Sequence, residues 1–180
     1  MKHLKTSLAA LALAAVSTQA FAGDFTLTSP DVSEGKPITA AQYWNNFGCT
    51  GDNARPVLDW SGAPEGTKSF AVTFYDQDAP TGSGFWHWVA YDIPAGITHL
   101  DAKGLPAGVK EGNTDVGVPG YLGPCPPVGR KHVYTYTVYA LDTDHLNPPE
   151  NATAPLTGFF IHQHSLGTAT LSVTAGPRSE

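Results

Sequence analysis

The sequence predicts a mostly β protein, a sandwich of short strands joined by long loops. Three observations carry that expectation. Nineteen glycines and fifteen prolines are scattered through the 180 residues, no long stretch shows the apolar period of an amphipathic helix, and short β-branched or aromatic runs recur between turn clusters.

The runs are Phe25–Thr28, Pro56–Trp60, Ser69–Tyr75, Trp86–Ile93, Lys131–Leu141 and Thr168–Thr174, with short helix expected only around Ala40–Asn45 and Pro155–His164. In the third run Phe70, Val72 and Phe74 share a face by strand alternation, and Asp76 continues that face at the rim. The fourth run is apolar on both sides, His87, Val89 and Tyr91 on one and Trp86, Trp88 and Ala90 on the other, as in a central strand. Ala79–Gly84 is longer than the tightest hairpin loop, yet it joins these two runs antiparallel and brings Asp76 and His87 to the same end. In the fifth run His132, Tyr134 and Tyr136 share a face. The segment leading into it, Gly120–Gly129, is stiffened by proline and opened by glycine, a composition suited to presenting backbone N–H groups to an anion.

The N-terminus reads as a secretory signal peptide over residues 1–22. Lys2 and Lys5 precede an apolar run from Leu8 to Val16, and Ala20-Phe21-Ala22 gives a cleavage pattern with the cut after Ala22. That run is too short to span a membrane, so no stable membrane insertion is expected and the mature chain should be periplasmic or secreted. Residues 23–180 then form one domain. Cleavage removes two basic residues and no acidic one, which takes the net charge from −6 to about −8 and argues against nucleic acid as a partner. Export also places the two cysteines, Cys49 and Cys125, where a disulfide can form, and they are expected to pair.

Asp76-Gln77-Asp78-Ala79-Pro80, then Trp86-His87-Trp88, then Gly123-Pro124-Cys125-Pro126-Pro127 with Gly129, His132 and Tyr134, resembles the phosphatidylethanolamine-binding protein (PEBP, or Raf-kinase-inhibitor-protein) family. Phe47–Asn53 and Leu58–Asp76 extend the likeness to its bacterial YbhB/YbcL branch, and the signal peptide with paired cysteines points to the periplasmic YbcL-like members. The resemblance implies a Greek-key β-sandwich with small peripheral helices and, at one end, a pocket for phosphate-like groups, including phospholipid headgroups. Carried over by motif, the ligand-binding residues would be Asp76, Trp86, His87, Gly123, Cys125, Pro126, His132 and Tyr134, with Asp78 and Pro80 supporting the turn. The family's D-P-D-A-P carries Gln77 here and its H-R-Y carries Val133, so the arginine of that pattern has no counterpart.

A carboxylate beside an anion is repulsive, so such a site requires a protonated His87 or His132, or a protonated Asp76. No cofactor and no catalytic residue are expected. Two aspartates and two histidines have the donor types of a metal site, but no H-x-x-x-H or H-E-x-x-H pattern supports one, and His162 and His164 would diverge on a helix. A hydrolase would need Ser83 or Ser165, neither of which lies in G-x-S-x-G. The remaining alternative is an interaction protein that modulates a kinase, protease or host signalling partner through surfaces around the pocket. Tyr43, Trp44 and Phe47 are expected to be packing residues.

Overall fold

A computed structural model describes residues 24–179. The signal peptide expected over residues 1–22 lies outside the described residues. Eight strands and one α-helix follow in order: β1 (Thr26–Thr28), β2 (Leu58–Ser61), β3 (Ser69–Asp76), β4 (Phe85–Pro94), β5 (His99–Leu100), β6 (Lys110–Glu111), β7 (His132–Leu141), α1 (Ala154–His164) and β8 (Ser165–Ala175). Ala40–Gln42 forms a single 3-10 turn. The six expected runs all become strands, and the two expected helical pieces become the 3-10 turn and α1. Sequence patterning missed β5 and β6, because a two-residue strand has no alternation to read.

The strands form two antiparallel sheets, β1-β2-β5 and β6-β4-β3-β7-β8. The chain leaves the large sheet after β4, crosses to β5, returns as the edge strand β6 beside β4 and only then adds β7 on the other side of β3. This non-sequential order and the face-to-face sheets make the sandwich. Leu27, Leu58, Trp60 and Leu100 from the small sheet share one buried core with Phe70, Val72, Trp88 and Val138 from the large one. Apolar side chains at alternate positions drive that burial, since each strand offers one face to it.

The other face of the large sheet is closed by α1, where Ala154 and Ile161 pack with Ala71, Val89 and Leu141. Thr153 caps the helix through its hydroxyl, which accepts from the Leu156 N–H, and Pro155 occupies its first turn, where no N–H is needed. Phe74 stacks on Tyr136 with ring centres 3.9 Å apart, tying the two central strands β3 and β7 together just below the rim.

Candidate functional site

The site is built where β3 ends and β7 begins. Asp76 pairs in register with Tyr134, and alternation places His132 on the same face one step nearer the rim. The His132 Nδ1–H donates to Asp76 Oδ2 at 2.8 Å, with both groups buried. Asp76 Oδ1 accepts the Asp78 N–H at 2.9 Å, and Asp78 Oδ2 accepts the Val133 N–H at 2.8 Å. Both Asp76 oxygens are thus committed, and this carboxylate orients His132. Asp78 closes the turn onto β7, the supporting role expected of it.

His87 enters from β4 through a break in register. The β3–β4 pairing runs from Phe74↔Trp88 to Tyr75↔Trp86, so His87 has no partner and forms a β-bulge. Its ring packs against Phe74, Phe85 and Tyr134, and its Nδ1–H donates to the Leu122 carbonyl at 3.0 Å. Burial depresses the His87 pKa from the usual 6.5 to about 4, against the opposing pull of the Leu122 carbonyl and Asp76. The free protein therefore carries a neutral His87 whose Nε2 is a lone-pair acceptor.

The bulge also corrects the expectation for Trp86. By strict alternation Trp86 would share the face of Trp88, but the extra residue turns it to the helix side, where it packs on Tyr75 and beside Gly158 of α1. It does not line the pocket. The loop from Gly123 to Pro127 is likewise not the anion cradle its composition suggested. Pro124, Pro126 and Pro127 have no N–H, and the Gly123 N–H is spent on Asn53 Oδ1 at 2.6 Å. Gly123 serves close packing: a Cβ there would sit 2.3 Å from the Gln42 carbonyl oxygen. Pro126 faces away and offers its carbonyl to Arg178 Nε at 2.7 Å. Of this loop, Cys125 and Pro127 line the cavity.

The cavity measures about 130 Å³. Asp76, His87 and His132 form its polar side, while Trp44, Phe85 and Pro80 are among its apolar walls. Phe47 stands at its mouth at φ 54°, packed edge-on against Trp44 with ring centres 4.7 Å apart as expected, yet 63% exposed on its other side. Two covalent and polar ties hold these walls. Cys49 and Cys125 form the expected disulfide, and Arg178 Nη1 donates to the Gly48 carbonyl while its Nε holds Pro126. Sequence reasoning missed the lining residues Phe85 and Thr81. It also missed the open groove of about 430 Å³ beside the cavity, which shares Pro80, Pro127 and His132 and adds Asp78, Arg130 and Lys131.

Tyr134 is fully buried beneath the two histidines. Its hydroxyl lies near the Asp76 carboxylate and the Cys125 amide but reaches no partner with hydrogen-bond geometry, and burial with the nearby Asp76 pushes its pKa far up. Neither candidate nucleophile lies at the site: Ser83 is exposed in the β3–β4 turn, and Ser165 follows the end of α1 with its hydroxyl on the Gly167 carbonyl. His164 pairs with Asp142 and His162 packs edge-on against Tyr139. Among the described residues no three His, Cys, Asp or Glu side chains converge as metal ligands, and no helix is long and apolar enough to cross a membrane.

The family model for phosphatidylethanolamine-binding protein matches residues 28–176. Escherichia coli YbcL is 41% identical over 177 residues, which covers 94% of this chain and 97% of YbcL, and E. coli YbhB is 43% identical over 152 residues, 81% of this chain and 96% of YbhB. The solved structure of E. coli YbcL superposes with a TM-score of 0.82 at 40% identity, covering 87% of this chain and 100% of that one. With fold, rim and motifs in agreement over most of its length, the chain belongs to the phosphatidylethanolamine-binding protein family.

Proposed function

We propose that this chain is an exported binding protein that takes a small phosphate-like anion, free or as a phosphorylated headgroup, in the pocket of Asp76, His87 and His132. The observation that carries the reading is the paired commitment of the two rings: each histidine spends Nδ1 on the protein, which leaves Nε2 as the atom it has for a ligand. The neutral His87 takes up a proton at Nε2 as the anion arrives, so binding is coupled to proton uptake and strengthens as pH falls.

Size favours a small group. A cavity of about 130 Å³ falls well below the roughly 300–1,000 Å³ of pockets for drug-sized ligands, so it suits a phosphate or headgroup and not a whole lipid. Arg130 and Lys131 outnumber the single carboxylate, Asp78, in the adjoining groove and give a net positive approach that salt should screen. Calorimetric titration with inorganic phosphate and phosphoethanolamine tests the reading. Saturable binding that is lost in His87→Ala and His132→Ala is expected; folded wild-type protein that binds neither would overturn it.

One observation favours a second reading, a pocket that shapes a protein-binding surface. Phe47 is an exposed aromatic side chain at the mouth, seated edge-on against Trp44, and aromatic residues are enriched in protein interfaces. Capture of a partner by wild-type protein but not by Phe47→Ala would support it, and identical capture by both would reject it.

A further inference from the structure

A cavity of about 850 Å³ lies between residues 52–55, the loop 102–109 and Gly120–Tyr121, and it shares no lining residue with the histidine pocket. Arg55 lines it while being only 8% exposed. Its Nη2 donates to the carbonyls of Asp101, at 2.6 Å, and Gly104, its Nε finds no acceptor, and none of the ion pairs among the described residues includes it. The guanidinium carbon sits 4.8 Å from the centre of the Trp88 ring. The same indole donates its Nε1–H to Glu111 Oε1 at 2.6 Å. One tryptophan thus holds a buried cation on its face and a carboxylate at its edge, both lining the same cavity.

A buried guanidinium satisfied only by neutral carbonyls is costly, and a carboxylate that joins it makes the stronger, charge-assisted bond. Burial pulls the Arg55 pKa down and Glu111 is the largest influence in the other direction, so the two charges already sense each other. Lys103 and Asp52 are the other charged residues of the lining, giving two groups of each sign. That balance disfavours a dianion, which Glu111 and Asp52 repel, and favours a molecule carrying both charges. The volume lies within the roughly 300–1,000 Å³ typical of small-molecule sites. Two hydrogen bonds from Arg55 also fix the 101–104 segment, so this wall stands before any ligand arrives.

We infer that this cavity is a second binding site, for a small zwitterion of amino-acid or dipeptide size whose carboxylate meets Arg55 and whose ammonium meets Glu111. The test follows the Trp88 indole N–H by heteronuclear NMR while glycylglycine is titrated, with acetate and ethylammonium as half-ligand controls. Glycylglycine should shift that resonance saturably, and each half-ligand should bind at least about tenfold more weakly. Glu111→Gln keeps an acceptor for Trp88 yet should weaken glycylglycine by a similar factor, whereas His87→Ala, in the other pocket, should leave it unchanged. Arg55→Gln should also lose binding, but it releases the 101–104 segment, so the decisive variant is Glu111→Gln. No saturable shift at millimolar glycylglycine, acetate binding as tightly as glycylglycine, or an indifferent Glu111→Gln would each overturn the proposal.

Discussion

Two buried ionisable groups stand near opposite ends of β4, and they are finished differently. Asp92, near the end of the strand, accepts the Leu146 N–H at 2.9 Å on one oxygen and meets Lys110 Nζ at 3.0 Å and His145 Nδ1 at 3.4 Å on the other. His87, near the start, has one protein hydrogen bond and turns its other nitrogen to a cavity. Both residues are 5% exposed, so burial alone does not separate them. What separates them is the account of partners: a closed set marks a group that holds the fold, and an open one marks a group that waits for a ligand.

The largest expected effect tests what keeps the open set open. Replacing Cys49 and Cys125 by serine releases a loop of 76 residues and should cost about 4 kcal/mol in chemical denaturation, in the chain-entropy view. It should also weaken phosphate binding, because Cys125 and Phe47 are walls of the cavity. Retained affinity in a less stable protein would show that the disulfide serves the fold alone.

At the closed end, Asp92→Ala should cost about 3 kcal/mol, since it strands the Leu146 N–H and places a Cβ-bearing residue without a polar side chain at φ 59°. Phosphate affinity of the folded fraction should not change. Asp92→Asn, which tolerates that backbone and keeps an acceptor, should recover most of the loss. If Asp92→Ala abolishes binding while the protein remains folded, the division between the two ends fails.

At the open end the sign reverses with pH. His87 is neutral when folded and has its pKa depressed to about 4, so the stability it permits is complete above about pH 6.5 and is lost as pH falls towards 4. The loss amounts to roughly 3 kcal/mol and is set by burial, with the Leu122 carbonyl and Asp76 pulling the other way and His132 adding to the depression. Denaturation from neutral to acid pH should show His87→Gln overtaking wild type as the medium acidifies. Parallel profiles would contradict the neutral, buried His87.

The smallest effect concerns Tyr134. Its hydroxyl has no partner, so Tyr134→Phe should change stability by no more than about 1 kcal/mol, in either direction. A clear loss of phosphate affinity in the same variant would add the hydroxyl to the ligand contacts.

The sequence carried the strand runs and the shared face of Phe74 and Asp76 because alternation is a local signal that long, half-buried strands must obey. His132 and Tyr134 were legible for the same reason. The position of Trp86 was not, because a bulge is a mismatch between two strands and leaves no mark on one of them. The failure of the Gly123–Pro127 loop as an anion cradle was legible in principle: three prolines among five residues leave two N–H groups at most. Arg130 and Lys131 escaped notice because their closeness to His132 gains meaning only when the Pro80 and Pro127 walls come together around them. Arg55 and Asp92 escaped for a related reason, since their partners lie far along the chain.

The most direct test is calorimetry with sulfate, whose charge stays constant over the range, at about pH 5.5 and about pH 7.5. Affinity at the lower pH should be at least about tenfold higher, with net proton uptake, and His87→Ala should remove both the gain and the uptake. Equal or weaker binding at the lower pH by folded wild-type protein would contradict the coupling of anion binding to protonation at His87.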